Sequence, residues 1–112
     1  MTDKYILVGQ TPVPCHSTLQ WAAWFEEADC QVALTKVGKL LISTVFLGLN
    51  HNFIGAGDPL LFETIIFDAE GTGGYPRRFV TWLEAEQGHR KAVEALREVY
   101  PEAVVEEQPV AE

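Results

Sequence analysis

Three side chains in this sequence belong to the types that a divalent metal accepts: His51, Glu63 and His89. Two imidazoles and a carboxylate suit zinc or a non-haem iron, and a metal held by them would activate water for hydrolysis. No two of the three share an i,i+4 helical motif, so a zinc site here requires the fold to bring them together. A structural reading covers the same residues: His89 as a core histidine hydrogen-bonded to Glu63 or to a loop carbonyl. A second cluster is basic and aromatic, with Arg77 and Arg78 between Tyr75 and Phe79. Guanidiniums fork onto phosphate oxygens and aromatic rings stack on bases. Tyr75, Arg77 and Arg78, with Asn50 and His51 of a polar loop, are therefore the candidate site for a small nucleotide-like ligand. The plainer reading of the arginines is an edge strand blunted by charge. Cys15-His16, just ahead of a helix start, has the makings of an activated thiol but no third catalytic group. Gly55-Ala56-Gly57 and Gly71-Thr72-Gly73-Gly74 lack the Lys and Ser/Thr of a phosphate-binding loop and read as turns.

The elements that must position these groups follow from periodicity. Residues 4–8 form a short β-branched and aromatic run that ends at Gly9, and Pro12-Val13-Pro14 then reads as a loop. Ser17 stands three residues before Gln20, a capping box that opens an amphipathic helix reaching about Asp29. Residues 32–35 and 39–47 are two β-rich runs around Gly38, which suits an antiparallel hairpin. The second run is apolar on both pleat faces, as expected of a central strand with material packed on each side or with a partner at an interface. Residues 60–67 and 77–80 supply two more strands. Thr81 and Glu84 cap a last helix that ends near Val99, before Pro101. On this helix His89 falls in the apolar stripe with Trp82, Ala85, Ala92, Val93 and Leu96, so its side chain is expected to point inward.

The sequence thus predicts an α+β domain: a mainly antiparallel sheet of about five strands with two helices packed on one face. Its 112 residues suit a single domain, taken as 1–100, followed by an acidic, flexible tail over 101–112 in which Val104-Val105 is the only candidate for edge pairing. Eight basic residues against sixteen acidic ones, net −8, argue against direct nucleic-acid binding, which runs on cations neutralising phosphates. No apolar run is long enough to span a membrane and the N-terminus has no signal-peptide pattern, so the expected compartment is the cytoplasm. Cys15 and Cys30 are then expected as free thiols.

Three segments together carry a resemblance: Ser43-Thr44-Val45-Phe46-Leu47-Gly48-Leu49-Asn50-His51-Asn52-Phe53, then Pro59-Leu60-Leu61-Phe62-Glu63-Thr64, then Thr81-Trp82 through Glu84-Ala85 to Gly88-His89. Over about residues 40–92 the chain resembles a family of small proteins carried by tailed phages and prophages. The resemblance implies a genomic setting, and phage genes of this size without an enzyme motif are frequently accessory. The leading expectation is a non-enzymatic phage or prophage protein that binds a host or phage protein, most concretely an inhibitor of a host defence factor. An acidic surface can compete for a basic groove. Two alternatives stand beside it: a homo-oligomer that sequesters a nucleotide-like ligand, and a metal-dependent hydrolase using His51, Glu63 and His89, with zinc as a candidate metal.

Overall fold

The structure, a computed structural model, describes residues 2–109. The elements run β1 (Tyr5–Val8), β2 (Thr11–Pro14), α1 (Thr18–Glu27), β3 (Gln31–Val37), β4 (Leu40–Phe46), β5 (Phe62–Phe67), β6 (Arg77–Phe79), α2 (Trp82–Val99) and β7 (Val105–Glu107). The main sheet is antiparallel in the order β6-β5-β4-β3-β7, with β1 and β2 paired as a separate ribbon. The fold is α+β, as the sequence predicts. Ser17 and Thr81 both cap their helices, accepting from the backbone N–H of Gln20 and Glu84. The β3–β4 turn is Gly38-Lys39, and Gly38 at φ 60° takes the left-handed conformation that a two-residue hairpin needs at its first position.

Two expectations need correction. Pro12 and Pro14 lie in a strand: they pair with Leu7 and Tyr5, while Val13 and Thr11 sit opposite Ile6 and Val8. In a two-stranded ribbon alternate N–H groups face outward, and prolines at those positions forfeit no ladder bond. The C-terminal segment is also part of the sheet. Thr35, Lys36 and Val37 pair with Glu107, Glu106 and Val105, so β7 closes an edge of β3 that would otherwise stand open. Residues 110–112 of the expected flexible tail lie outside the described residues.

Register sorts the main sheet into two faces. The inner face carries the rows Phe46–Phe62–Phe79, Thr44–Thr64–Arg77 and Thr35–Ile42–Ile66. At one end of this face Phe46 and Phe62, 2% and 0% exposed, meet Trp24 and Phe25 from α1 and Trp82 from α2. Burying each such ring contributes about 1.5–3 kcal/mol, so this aromatic end is the main anchor of both helices. Gly48 lets α1 seat: a Cβ there would stand 1.9 Å from the Phe25 ring, and its carbonyl accepts from Trp21 Nε1 at 3.1 Å.

Candidate functional site

Farther along the inner face, α2 crosses the sheet on His89. The ring is 5% exposed, with Nε2 2.8 Å from Thr35 Oγ1 and Nδ1 2.7 Å from Thr44 Oγ1. Thr44 Oγ1 in turn contacts Thr64 Oγ1, its direct cross-strand neighbour. One imidazole is thus held by hydroxyls on β3 and β4, with β5 completing the chain. A hydroxyl both donates and accepts, so either neutral tautomer is satisfied. Burial pushes the His89 pKa below its usual 6.5, while the carboxylate of Glu107 pulls the other way. With both nitrogens occupied and no hydroxyl freed for attack, the network works as a polar lock between helix and sheet.

Beside the lock, the seam between α2 and the β5–β6 side of the sheet is left unfilled. A cavity of about 490 Å³ opens there, with Thr64, Ile66, Arg77 and Phe79 as floor and Gln87, Gly88, Lys91, Ala92 and Ala95 as wall. Gly88 is required by packing: a Cβ on it would stand 2.2 Å from Phe79 Cζ. Tyr75 reaches the same cavity from the chain preceding β6 and is 99% exposed. A smaller cavity of about 240 Å³ on the β3–β7 side of His89 is bounded by Glu86, Arg90 and Glu107.

The outer face of the sheet carries three rows: Gln31–Val45–Glu63–Arg78, Leu34–Ser43–Ile65 and Glu106–Lys36–Leu41–Phe67. Neither helix lies on it, since α2 docks through His89 and α1 through Phe46 on the inner side. Leu34, Leu41, Val45, Ile65 and Phe67 are half-buried among themselves. Glu63 and Arg78 pair at 3.0 Å, and Lys36 stands opposite Glu106, so the four charges of this face cancel. A chain of net −8 therefore keeps one charge-neutral face, on which five apolar side chains stand among polar and paired charged ones.

The sequence-derived candidates separate on this frame. Of the ligand set, Arg77 and Tyr75 line the larger cavity, whereas Arg78 projects from the opposite face onto Glu63. Asn50 and His51 are spent on their own loop: Asn50 Oδ1 accepts from Asn52 N and Leu60 N, and His51 Nδ1 donates to the Leu49 carbonyl at 2.9 Å. The proposed metal ligands do not converge. His89 lies under α2, Glu63 on the far face and His51 in the β4–β5 loop, and no group of three metal-ligating side chains gathers among the described residues. His89 is a core histidine, as one reading of the sequence had it, but its partners are threonines and not Glu63. Cys15 is buried and donates to the Ser17 carbonyl, and both cysteines are free. Lys91 and Thr64 were missed by sequence reasoning, because only the direction in which α2 crosses β5 and β6 brings them beside Arg77. No helix among the described residues is long and apolar enough to cross a membrane. Compared with protein-family models, curated proteins and solved structures, the chain matches none.

Proposed function

We propose that this chain is a small, non-enzymatic phage or prophage accessory protein that docks on another protein through the outer face of its sheet. Its most concrete role is inhibition of a host anti-phage defence factor in the host cytoplasm. The observation that carries the reading is that face: Leu41 and Val45 of β4, Ile65 and Phe67 of β5 and Leu34 of β3 lie on it half-buried, its charges are paired, and neither helix covers it. Antiparallel sheets commonly leave one face to solvent, but that face is then polar, with alternation along each strand. Here β4 places Leu41 and Val45 outward as well as Ile42 and Phe46 inward.

Charge selects the partner. Carboxylates at Asp68 and Glu70 follow β5, so the β5 end of the face has an acidic margin; Glu106 is set against Lys36, and Glu107 turns to the inner side beside His89. A protein with an apolar patch rimmed by Lys and Arg, such as a nucleic-acid-binding protein of a defence system, is complementary to that layout. A second copy of a chain of net −8 is repelled by it.

The test is affinity recovery of the tagged chain from infected host cells, alongside a Leu41→Asp/Ile65→Asp variant and a Glu94→Lys control on the exposed face of α2. The wild type and the control retain one protein at fixed stoichiometry; the double variant, folded by circular dichroism, loses it. Retention by the double variant, or recovery of nothing but a second copy of the chain, overturns the reading. A Leu41→Ser variant, milder in the same row, serves if the double variant does not fold.

A further inference from the structure

We infer that the cavity between α2 and the β5–β6 side of the sheet is a binding site for a small organic phosphate with a planar ring, of the nucleoside-monophosphate class. The inference does not rest on the docking face, which lies on the other side of the sheet.

Packing gives the first argument. The space is an open groove at the surface, with Arg77, Gln87, Lys91 and Ala95 of its lining exposed, and it exists because small residues of the helix face the sheet. Here α2 turns Gly88, Ala92 and Ala95 toward Thr64 and Ile66 and leaves about 490 Å³ open. Larger side chains at the alanines would fill that space. The volume lies within the roughly 300–1,000 Å³ of small-molecule sites.

Charge gives the second. Arg77 enters from the sheet and Lys91 from the helix, and neither forms an ion pair among the described residues, although the chain carries twice as many acids as bases. Two cations on the lining of one groove, one from the sheet and one from the helix, match a phosphomonoester dianion better than a single carboxylate, with Arg77 able to offer a bidentate fork and Lys91 a point charge.

The remaining lining reads a ring. Tyr75 leaves its whole phenol in solvent at the mouth, where it provides a stacking platform beside the guanidinium. Thr64 presents a hydroxyl on the floor, held in place through Thr44 by His89. Gln87 offers both a donor and an acceptor to a base edge. Glu84 also borders the cavity, seven residues before Lys91 and thus about 10 Å along the helix axis from it. One oxygen of Glu84 accepts from Thr81 Oγ1 at 3.1 Å, which leaves the other to accept from an exocyclic amine rather than to oppose the phosphate.

The experiment is a titration of the full chain with AMP, adenosine and inorganic phosphate, followed by amide NMR shifts and calorimetry. AMP is expected to shift the amides of Thr64, Gly88 and Lys91 saturably, with adenosine and phosphate at least about tenfold weaker. Arg77→Ala and Lys91→Ala each lower AMP affinity at least about tenfold, the factor equivalent to one lost charge-assisted contact. Arg78→Ala, which faces away, changes it less than about twofold. Ala92→Leu, which fills the cavity, blocks binding, and Arg77→Gln serves in its place if that variant does not fold. The absence of saturable shifts at millimolar AMP overturns the proposal, as does unchanged affinity in Arg77→Ala and Lys91→Ala. Inorganic phosphate binding as tightly as AMP overturns the assignment of a ring-bearing ligand.

Discussion

Replacing Thr44 with Val keeps the shape of a fully buried side chain and removes only its hydroxyl, which contacts both His89 Nδ1 and Thr64 Oγ1. Thr64 borders the larger cavity and can find water there, but His89 Nδ1 is enclosed between helix and sheet. The variant therefore loses one net hydrogen bond, worth about 1 kcal/mol, and leaves one buried ring nitrogen unpaired at about 1–3 kcal/mol. The expected destabilisation is about 2–4 kcal/mol, roughly 8–16 °C in Tm for a domain of this size. Urea unfolding followed by tryptophan fluorescence gives the value, with an unchanged slope as the sign that the native structure persists. The lock also predicts an asymmetry. Thr35→Val/Thr44→Val/His89→Leu removes every partner together, orphans nothing among them, and is expected to cost less than Thr44→Val alone. A loss below about 0.5 kcal/mol in the single variant refutes the argument, as does a triple variant less stable than the single one.

Three further outcomes are expected. The pKa of His89 is lowered in the folded state, so the unfolded chain takes the proton first. Stability is full above about pH 6.5 and falls as pH drops from there through the folded-state pKa; His89→Leu flattens this dependence between urea melts at about pH 7.5 and 5.5, and Glu107→Gln steepens it. Gly88→Ala, which in an ordinary helix interior stabilises by about 1 kcal/mol, is expected to be neutral or destabilising by up to about 2 kcal/mol, because its Cβ meets the Phe79 ring; a stabilised variant in thermal melts contradicts that packing. Deleting residues 102–112 removes β7 and with it the bonds from Gly38 N to the Val104 carbonyl and from Gln108 N to the Leu34 carbonyl, so amide exchange across Leu34 to Val37 is expected to accelerate and stability to fall by about 2 kcal/mol.

Local signals in the sequence account for most of the elements. Ser17 and Thr81 are legible caps because capping chemistry is complete within four residues. The inward direction of His89 follows from helical periodicity alone. What the helix meets there does not, since Thr35, Thr44 and Thr64 lie on three strands and only their register makes them neighbours. A signal was nevertheless present: each of these threonines sits between apolar residues two positions away, the pattern of a hydroxyl placed on a buried face. The β7 pairing has only the Val104-Val105 pair as a local signature; Val105 does pair with Val37, but the inclusion of Glu106 and Glu107 comes from the open edge of β3. The separation of Arg77 from Arg78 follows from strand alternation, whereas the partnership of Arg77 with Lys91 depends on how α2 crosses the sheet. The doubly apolar β4 raised a question about what covers its second face, and the fold sharpens it: α2 lies on one side only.

The central claim is that the outer face is where a protein partner sits. Hydroxyl-radical footprinting of the chain, free and in the complex recovered from host cells, tests it at the level of side chains. Leu41, Ile65 and Phe67 are expected to lose reactivity in the complex, while Tyr75, on the side of the sheet that α2 covers, keeps it. Protection of Tyr75 and the α2 surface with unchanged reactivity at Leu41, Ile65 and Phe67 would contradict the account.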